Sequence, residues 1–265
     1  MGRVWMRMLL VGGAWLGLLI PTAGVAQEKA STKVAVGDAV VHGETLKPFT
    51  NKWGMKLIKS DGSIVQDGGF WTDELEAVEI NGRPCWRRTQ RATFKKSNGE
   101  VAATNKTVNV FDRKTLEPVT REFELHSVGG EDTSVKISFS SSLMKVENTQ
   151  KGKTEVKELA TTPAFDFYGG VYAVLWVALP LRPGFTATFP SYTEDENPEK
   201  VTLVTYEITG REKVEAGRLG KVEAWVVESD TMIGFLKYWI SEEAPYIIRM
   251  DYKAKDGTTW LLTMT

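Results

Sequence analysis

Along most of the chain apolar and polar residues alternate with a period of two, the pattern of strands that bury one face. Val108 and Val110 fall on one side of a strand, with Thr107, Asn109 and Phe111 on the other. Phe123 and Leu125 alternate with Glu122 and Glu124, and Val135, Ile137 and Phe139 with Lys136 and Ser138. The C-terminal third repeats the pattern in Val204–Ile208, Val222–Val227, Phe235–Ile240, Ile248–Tyr252 and Trp260–Met264. Between these runs lie turn pairs at Asp61-Gly62, Asn81-Gly82, Asn98-Gly99, Gly129-Gly130 and Asp256-Gly257. Such pairs take the positive φ of tight hairpin turns at little cost, so consecutive antiparallel hairpins are expected. About eleven to fourteen strands result, without βαβ spacing, which predicts a mainly β protein. The expected architecture is one large curved antiparallel sheet or half-open β-barrel.

One segment breaks the alternation. From Tyr168 to Leu181 there is no charge, Asp166 stands where a cap is needed, and Pro180 and Pro183 force an end. A short helix, apolar all round, belongs in a protein interior, and this one is too short to cross a bilayer. It is expected to pack in the concave face of the sheet. Tyr172, Leu175 and Trp176 on it, with Trp225 and Trp239 on strands, are the candidate wall of any ligand cavity. An aromatic is nonetheless more often core than ligand platform.

The first 26 residues differ from the rest. Arg3 and Arg7 precede an uncharged run from Met8 to Ile20, followed by Pro21, Ala23, Gly24 and Ala26. This is the layout of a cleaved secretory signal peptide, 1–26, predicting a periplasmic or secreted product that does not span the membrane after cleavage. No cysteine stands at the cleavage region to accept a lipid. Residues 27–52 then form an N-terminal extended segment and 53–265 a single β domain.

Removing the leader leaves 31 basic and 34 acidic side chains over 239 residues. A chain so balanced is not expected to bind nucleic acid. Cys85, the single cysteine, allows no intramolecular disulfide and is expected as a small buried hydrophobe. With two histidines, His42 and His126, and one cysteine, no metal site and no cofactor are expected. Hydrolase, metalloprotease and Walker motifs are missing, so no catalytic residues are assigned. Paired carboxylates such as Glu76 with Glu79 or Glu242 with Glu243 cannot be placed in space from the sequence. His126 shares a strand face with Glu122 and Glu124.

Several strings in order carry a family resemblance: Asp112-Arg-Lys-Thr-Leu-Glu-Pro118, Phe165-Asp-Phe167, Leu179-Pro-Leu-Arg-Pro-Gly184, Tyr206-Glu-Ile-Thr-Gly-Arg-Glu212 and Lys237-Tyr-Trp-Ile-Ser241. Together they resemble the bacterial exported domain of unknown function 3108, over about Trp53 to Thr265. The resemblance implies a fold related to the periplasmic lipoprotein carriers, a half-open barrel around a helical plug whose concave face can hold acyl chains. It brings no catalytic residues. Two roles follow as expectations. One is a non-catalytic module that binds a hydrophobic small molecule or lipid between sheet and helix. The alternative is a structural component of the cell envelope that meets a protein partner through an edge strand or outer face, without a ligand cavity.

Overall fold

The computed structural model describes residues 31–192, 201–231 and 234–265. The leader at 1–26 and the acidic stretch from residue 193 to 200 lie outside the described residues.

The first meander runs through β2 (Phe49–Ile58), β3 (Ile64–Ile80), β4 (Arg83–Lys95), β5 (Val101–Asp112), β6 (Pro118–Ser127), β7 (Thr133–Phe139), β8 (Leu143–Gln150) and β9 (Lys153–Ala160). The second comprises β10 (Thr186–Tyr192), β11 (Val201–Glu215), β12 (Lys221–Thr231), β13 (Gly234–Ile240), β14 (Ile247–Ala254) and β15 (Thr259–Met264), and a two-residue strand, β1 (Thr32–Lys33), lies parallel to β10. The last strand, β15, pairs with β2, placing Met264 opposite Trp53 and Leu262 opposite Met55. The two meanders thereby become one open, curved sheet of fifteen strands, with β1 and β9 at its edges. The boundary drawn at Trp53 falls inside β2.

All five predicted turn pairs lie between consecutive strands. Asn81 and Gly82 both have positive φ, 52° and 79°, as the tight turn between β3 and β4 requires. The motif Asp112–Pro118 is also a turn, made by its first residue. One carboxylate oxygen of Asp112 accepts hydrogen bonds from the backbone N–H groups of Lys114 and Thr115 at 2.9 and 2.8 Å, and the Arg83 side chain donates to the other at 2.8 Å. Burial works against the Asp112 charge, but the Thr115 N–H and Arg83 outweigh it and hold the carboxyl below its usual range. A carboxyl lowered in the folded state stabilises above its unfolded pKa, and that contribution is lost as pH falls through the folded value. Asp112→Asn should therefore destabilise at neutral pH, with a gap to the wild type that shrinks on acidification below about pH 4, measured by urea unfolding at a series of pH values. A gap constant with pH would show that the charge of Asp112 contributes nothing.

The link from β9 to β10 starts at one edge of the sheet and ends beside the other. It takes the path over the concave face, and the sheet curls around it until the rings of Phe139 on β7 and Tyr192 on β10 are 5.2 Å apart. The core is what lies between. Inward-facing Trp53, Leu75, Trp86, Phe111, Phe189, Tyr206, Val227 and Tyr238 meet the buried residues of the link. The segment before β2 closes over the same core with Val34, Val41 and Leu46, and the Trp86 indole donates to the Gly43 carbonyl at 2.9 Å. A separate small cluster of Ile137, Met144 and Val146 holds β7 to β8.

The helix expected at Tyr168–Leu179 is realised in two pieces: a π-helical turn, Phe167–Val171, and a four-residue helix, α1 (Val174–Val177). The glycines at 169 and 170 are poor helix formers. Ala173 at φ 63° breaks the path between the two pieces.

Candidate functional site

The linking segment Ala164–Leu179 is a plug that contains three of the five candidate residues. Trp176 and Leu175 are fully buried. The Trp176 ring meets Tyr238 of β13 at 4.1 Å, Tyr206 of β11 at 5.6 Å and Phe167 at 5.6 Å between centroids. This is packing at core density, not a void wall. Burial pushes the Tyr206 hydroxyl far above the usual tyrosine pKa, and that hydroxyl has no hydrogen-bond partner among the described residues.

The plug is also fastened by buried charges that the sequence pattern did not reveal. On adjacent strands, inward-facing Arg88 (β4), Asn109 (β5) and Arg121 (β6) stand in register. Arg88 donates to both carboxylate oxygens of Asp73 on β3 at 2.9 and 2.6 Å, and both side chains are 0% exposed. The same guanidinium donates to the plug carbonyls of Gly170 and Tyr172, each at 2.8 Å, and lies over the Tyr172 ring. Burial opposes the charge on Arg88 and the Asp73 carboxylate restores it, so the guanidinium stays protonated. Asp166 does not cap the turn after it, as expected of it. Its carboxylate accepts from Arg121 at 2.8 Å, and burial pushes its pKa up against the pull of Arg121. Gly170 lies so close to the sheet that a Cβ there would come within 2.2 Å of Asn109. Only glycine fits at that contact.

Tyr172 sits at the border of the plug. Gln90 donates a short hydrogen bond to its hydroxyl. With Trp53, Trp71, Ile247, Met250 and Leu262 it lines an apolar cavity of about 10 Å³, room for one water at most. Small-molecule pockets usually hold ~300–1,000 Å³. The cavity beside Tyr172 falls far below that size. The second depression, about 150 Å³, is polar and lined by residues such as Glu122, Lys136, Lys145 and Glu147.

Beyond Tyr172 the concave face continues without the plug. The register places Met250, Leu262, Met55 and Gly69 in one row across β14, β15, β2 and β3, and Phe94 of β4 extends it. Tyr252, Trp260 and Leu57 form the next row. Trp71, Met250, Tyr252, Trp260 and Leu57 are only half-buried. Phe94 and Trp260 meet edge-on at 6.0 Å, as do Trp53 and Trp71 at 6.4 Å. The Trp71 indole N–H, buried as an atom, has no hydrogen-bond partner among the described residues. The strip is aromatic and half-buried, and among the described residues the plug does not cover it.

The two strand tryptophans lie away from this strip. Trp239 pairs with Val226 and Arg249 on the face of β13 opposite Tyr238; its indole donates to Glu212 at 2.7 Å and Arg249 lies over its ring at 4.3 Å. The Trp239 indole is the main cause holding the Glu212 carboxyl below its usual range. Trp225 has its ring under Arg211 at 4.0 Å and donates to Glu242 at 2.8 Å. The structure thus groups Tyr172, Leu175 and Trp176 on the plug and turns Trp239 to the other face of β13, while Trp225 pairs with inward-facing Ile240 and belongs to the same core cluster as Leu175 and Trp176. Tyr238, Trp71 and Met250 were not singled out in the sequence, whereas Trp260 was noted there with Trp225 and Trp239 as a strand tryptophan that could wall a cavity. Strict alternation through Leu236, Tyr238 and Ile240 would have found Tyr238.

Three of the four carboxylates considered for catalysis, Glu76, Glu242 and Glu243, are tied to basic groups. Glu76 pairs with Arg87 at 3.2 Å, and Glu242 with Arg211 and the Trp225 indole. His126 lies 2.5 Å from Asp132 rather than against Glu122 or Glu124, since the turn between β6 and β7 folds that aspartate back. Cys85 is buried, and burial raises its thiol pKa. Among the described residues no helix is long and apolar enough to cross a membrane.

Comparison with known proteins agrees with the motifs. The family described as "Protein of unknown function (DUF3108)" matches residues 62–263. No curated protein and no solved structure gives a significant match.

Proposed function

The chain belongs to the DUF3108 family, and from that premise we propose that it is an exported, non-catalytic binding module that holds a lipid-like apolar chain on the open strip of its concave face, beside the plug. The observation that carries this reading is the division of that face. The plug is packed, ion-paired to Arg121 and hydrogen-bonded to Arg88 of the sheet, whereas Trp71, Met250, Tyr252, Trp260 and Leu57 next to it are half-buried and largely apolar. Soluble proteins rarely leave a contiguous aromatic strip of this kind without a use for it. The leader-like first 26 residues support export. The expected ligand site therefore moves from between sheet and helix to the strip that the helix leaves uncovered.

Covering several hundred Å² at about 25 cal/mol per Å² offsets the cost of association and leaves roughly micromolar affinity. A polar headgroup would remain in solvent at the open side. Native mass spectrometry of the protein purified from the envelope fraction, with organic extraction of what it carries, tests the proposal. The expected result is a co-purifying amphiphile. Trp71→Ala and Trp260→Ala should each weaken uptake of a fluorescent fatty acid about tenfold, a loss of about 1.4 kcal/mol, at small cost in thermal stability. A clean apo mass with no fatty-acid uptake would remove the reading and leave an envelope component that works through its edges and outer face.

A further inference from the structure

Among the described residues the fifteen-stranded sheet has one long free edge. At one side it ends in β1, two residues long, but at the other it ends in β9, eight residues whose side chains are exposed except for half-buried Leu159. The β8–β9 hairpin closes through Lys151 and Gly152, with φ of 54° and 70°, around the pair Gln150–Lys153. In a two-residue hairpin of this type the flanking pair is hydrogen-bonded, so the backbone of Lys153, Glu155, Lys157 and Leu159 faces β8. The bond from Thr161 N–H to the Ser142 carbonyl, 3.0 Å, continues that parity. The N–H and C=O groups of Thr154, Val156 and Glu158 therefore point out of the sheet.

An exposed edge of this length is a template for another strand. Its side chains decide which strand fits. Antiparallel pairing requires outward-facing residues to meet outward-facing residues, which leaves three central registers for pairing of β9 with a second copy of itself. One sets Glu155 against Glu155 and another sets Lys157 against Lys157; both oppose like charges. The third, centred on Val156, sets Glu155 against Lys157 of the second copy, twice by symmetry, and Val156 against Val156. Opposite charges and apolar pairs directly across a ladder stabilise it, and like charges do the reverse. Val156 is 55% exposed in the single chain, and neither Glu155 nor Lys157 has an ion-pair partner among the described residues.

We propose that two copies of this chain associate edge to edge through β9, in the register centred on Val156, and join their sheets into one. The contact is isologous, closing a two-fold dimer. In it Thr154 faces Glu158 of the partner, Val156 faces Val156, and each of these pairs exchanges two backbone hydrogen bonds. A single strand pair buries little area, so the dimer is a weak one, formed in the micromolar range or above.

Sedimentation velocity of the purified protein over a concentration series from micromolar to near-millimolar reads this out. The wild type is expected to shift from monomer to dimer. Val156→Pro removes the central outward N–H at a position where an edge strand tolerates proline, so the circular dichroism and melting of the monomer should be unchanged and the dimer abolished. Glu155→Lys alone, placing lysine opposite lysine, should weaken association at least tenfold. The exchanged variant, Glu155→Lys with Lys157→Glu, should recover wild-type association to within about threefold, because the charges again alternate. A wild type monomeric throughout the series overturns the proposal. So does a dimer that survives Val156→Pro, or an exchanged variant no tighter than Glu155→Lys.

Discussion

Arg88→Met should lower the unfolding free energy by about 3–5 kcal/mol, the usual cost of removing one partner from a buried ion pair. The Asp73 carboxylate accepts two hydrogen bonds from Arg88 in a fully buried setting, and no water would replace them. The Gly170 carbonyl would lose its Arg88 donor in the same substitution, and the Tyr172 carbonyl would keep only the Val174 N–H. Urea unfolding followed by circular dichroism measures the loss. The double variant Arg88→Met with Asp73→Leu should recover most of it, since a well-packed apolar pair often equals a buried ion pair in stability. If Arg88→Met cost under about 1 kcal/mol, the pair would have to be solvated and the plug not anchored there.

The second large effect is expected at Trp176. Its ring is enclosed by Phe167, Tyr206 and Tyr238, so Trp176→Ala leaves a cavity that the plug has no slack to fill, costing about 3–5 kcal/mol. The Trp176 indole N–H has no hydrogen-bond partner among the described residues, so none is lost with it, and Trp176→Phe should cost much less. The variant also separates two roles. Trp176 is core, so fatty-acid uptake by the folded fraction should be near wild type, whereas Trp71→Ala should do the opposite: lose uptake and keep stability. Thermal melts and uptake titrations on both variants decide it. A Trp176→Ala protein of normal stability that binds no ligand would place the ligand inside the plug contact instead.

The β character and most turns were legible because they depend on local signals. Period-two alternation marks a half-buried strand wherever it occurs, and Asn81-Gly82 or Asp256-Gly257 takes positive φ cheaply. The turn at Lys151-Gly152 passed unnoticed since lysine is not a turn residue by composition, and its positive φ is imposed by the pairing of β8 with β9. Local signals also missed the closing of β15 onto β2, a contact between the two ends of the domain that no window of sequence contains.

The site was legible only in part. An uncharged stretch ending in two prolines announced a buried plug, and Trp176 and Leu175 are at its centre. Arg88 and Asp73 read as the wet sides of strands, because a charged side chain is buried only where its partner comes from another strand and its remaining donors find plug carbonyls. Trp239 was chosen for its type, whereas position along β13 decides the face: Tyr238 turns to the plug and Trp239 to the cations on the other side. The strip at Trp71, Met250 and Trp260 is assembled from four strands and appears only once their register is known.

The central claim is that the uncovered strip, not the plug contact, receives the ligand. Photo-crosslinking with a diazirine-bearing fatty acid, followed by peptide mapping, tests it most directly. Adducts are expected on the peptides carrying Trp71, Met250 and Trp260, competed away by unlabelled fatty acid, with none on the Val174–Val177 helix. Adducts confined to that helix, or spread over the outer face without competition, would contradict it.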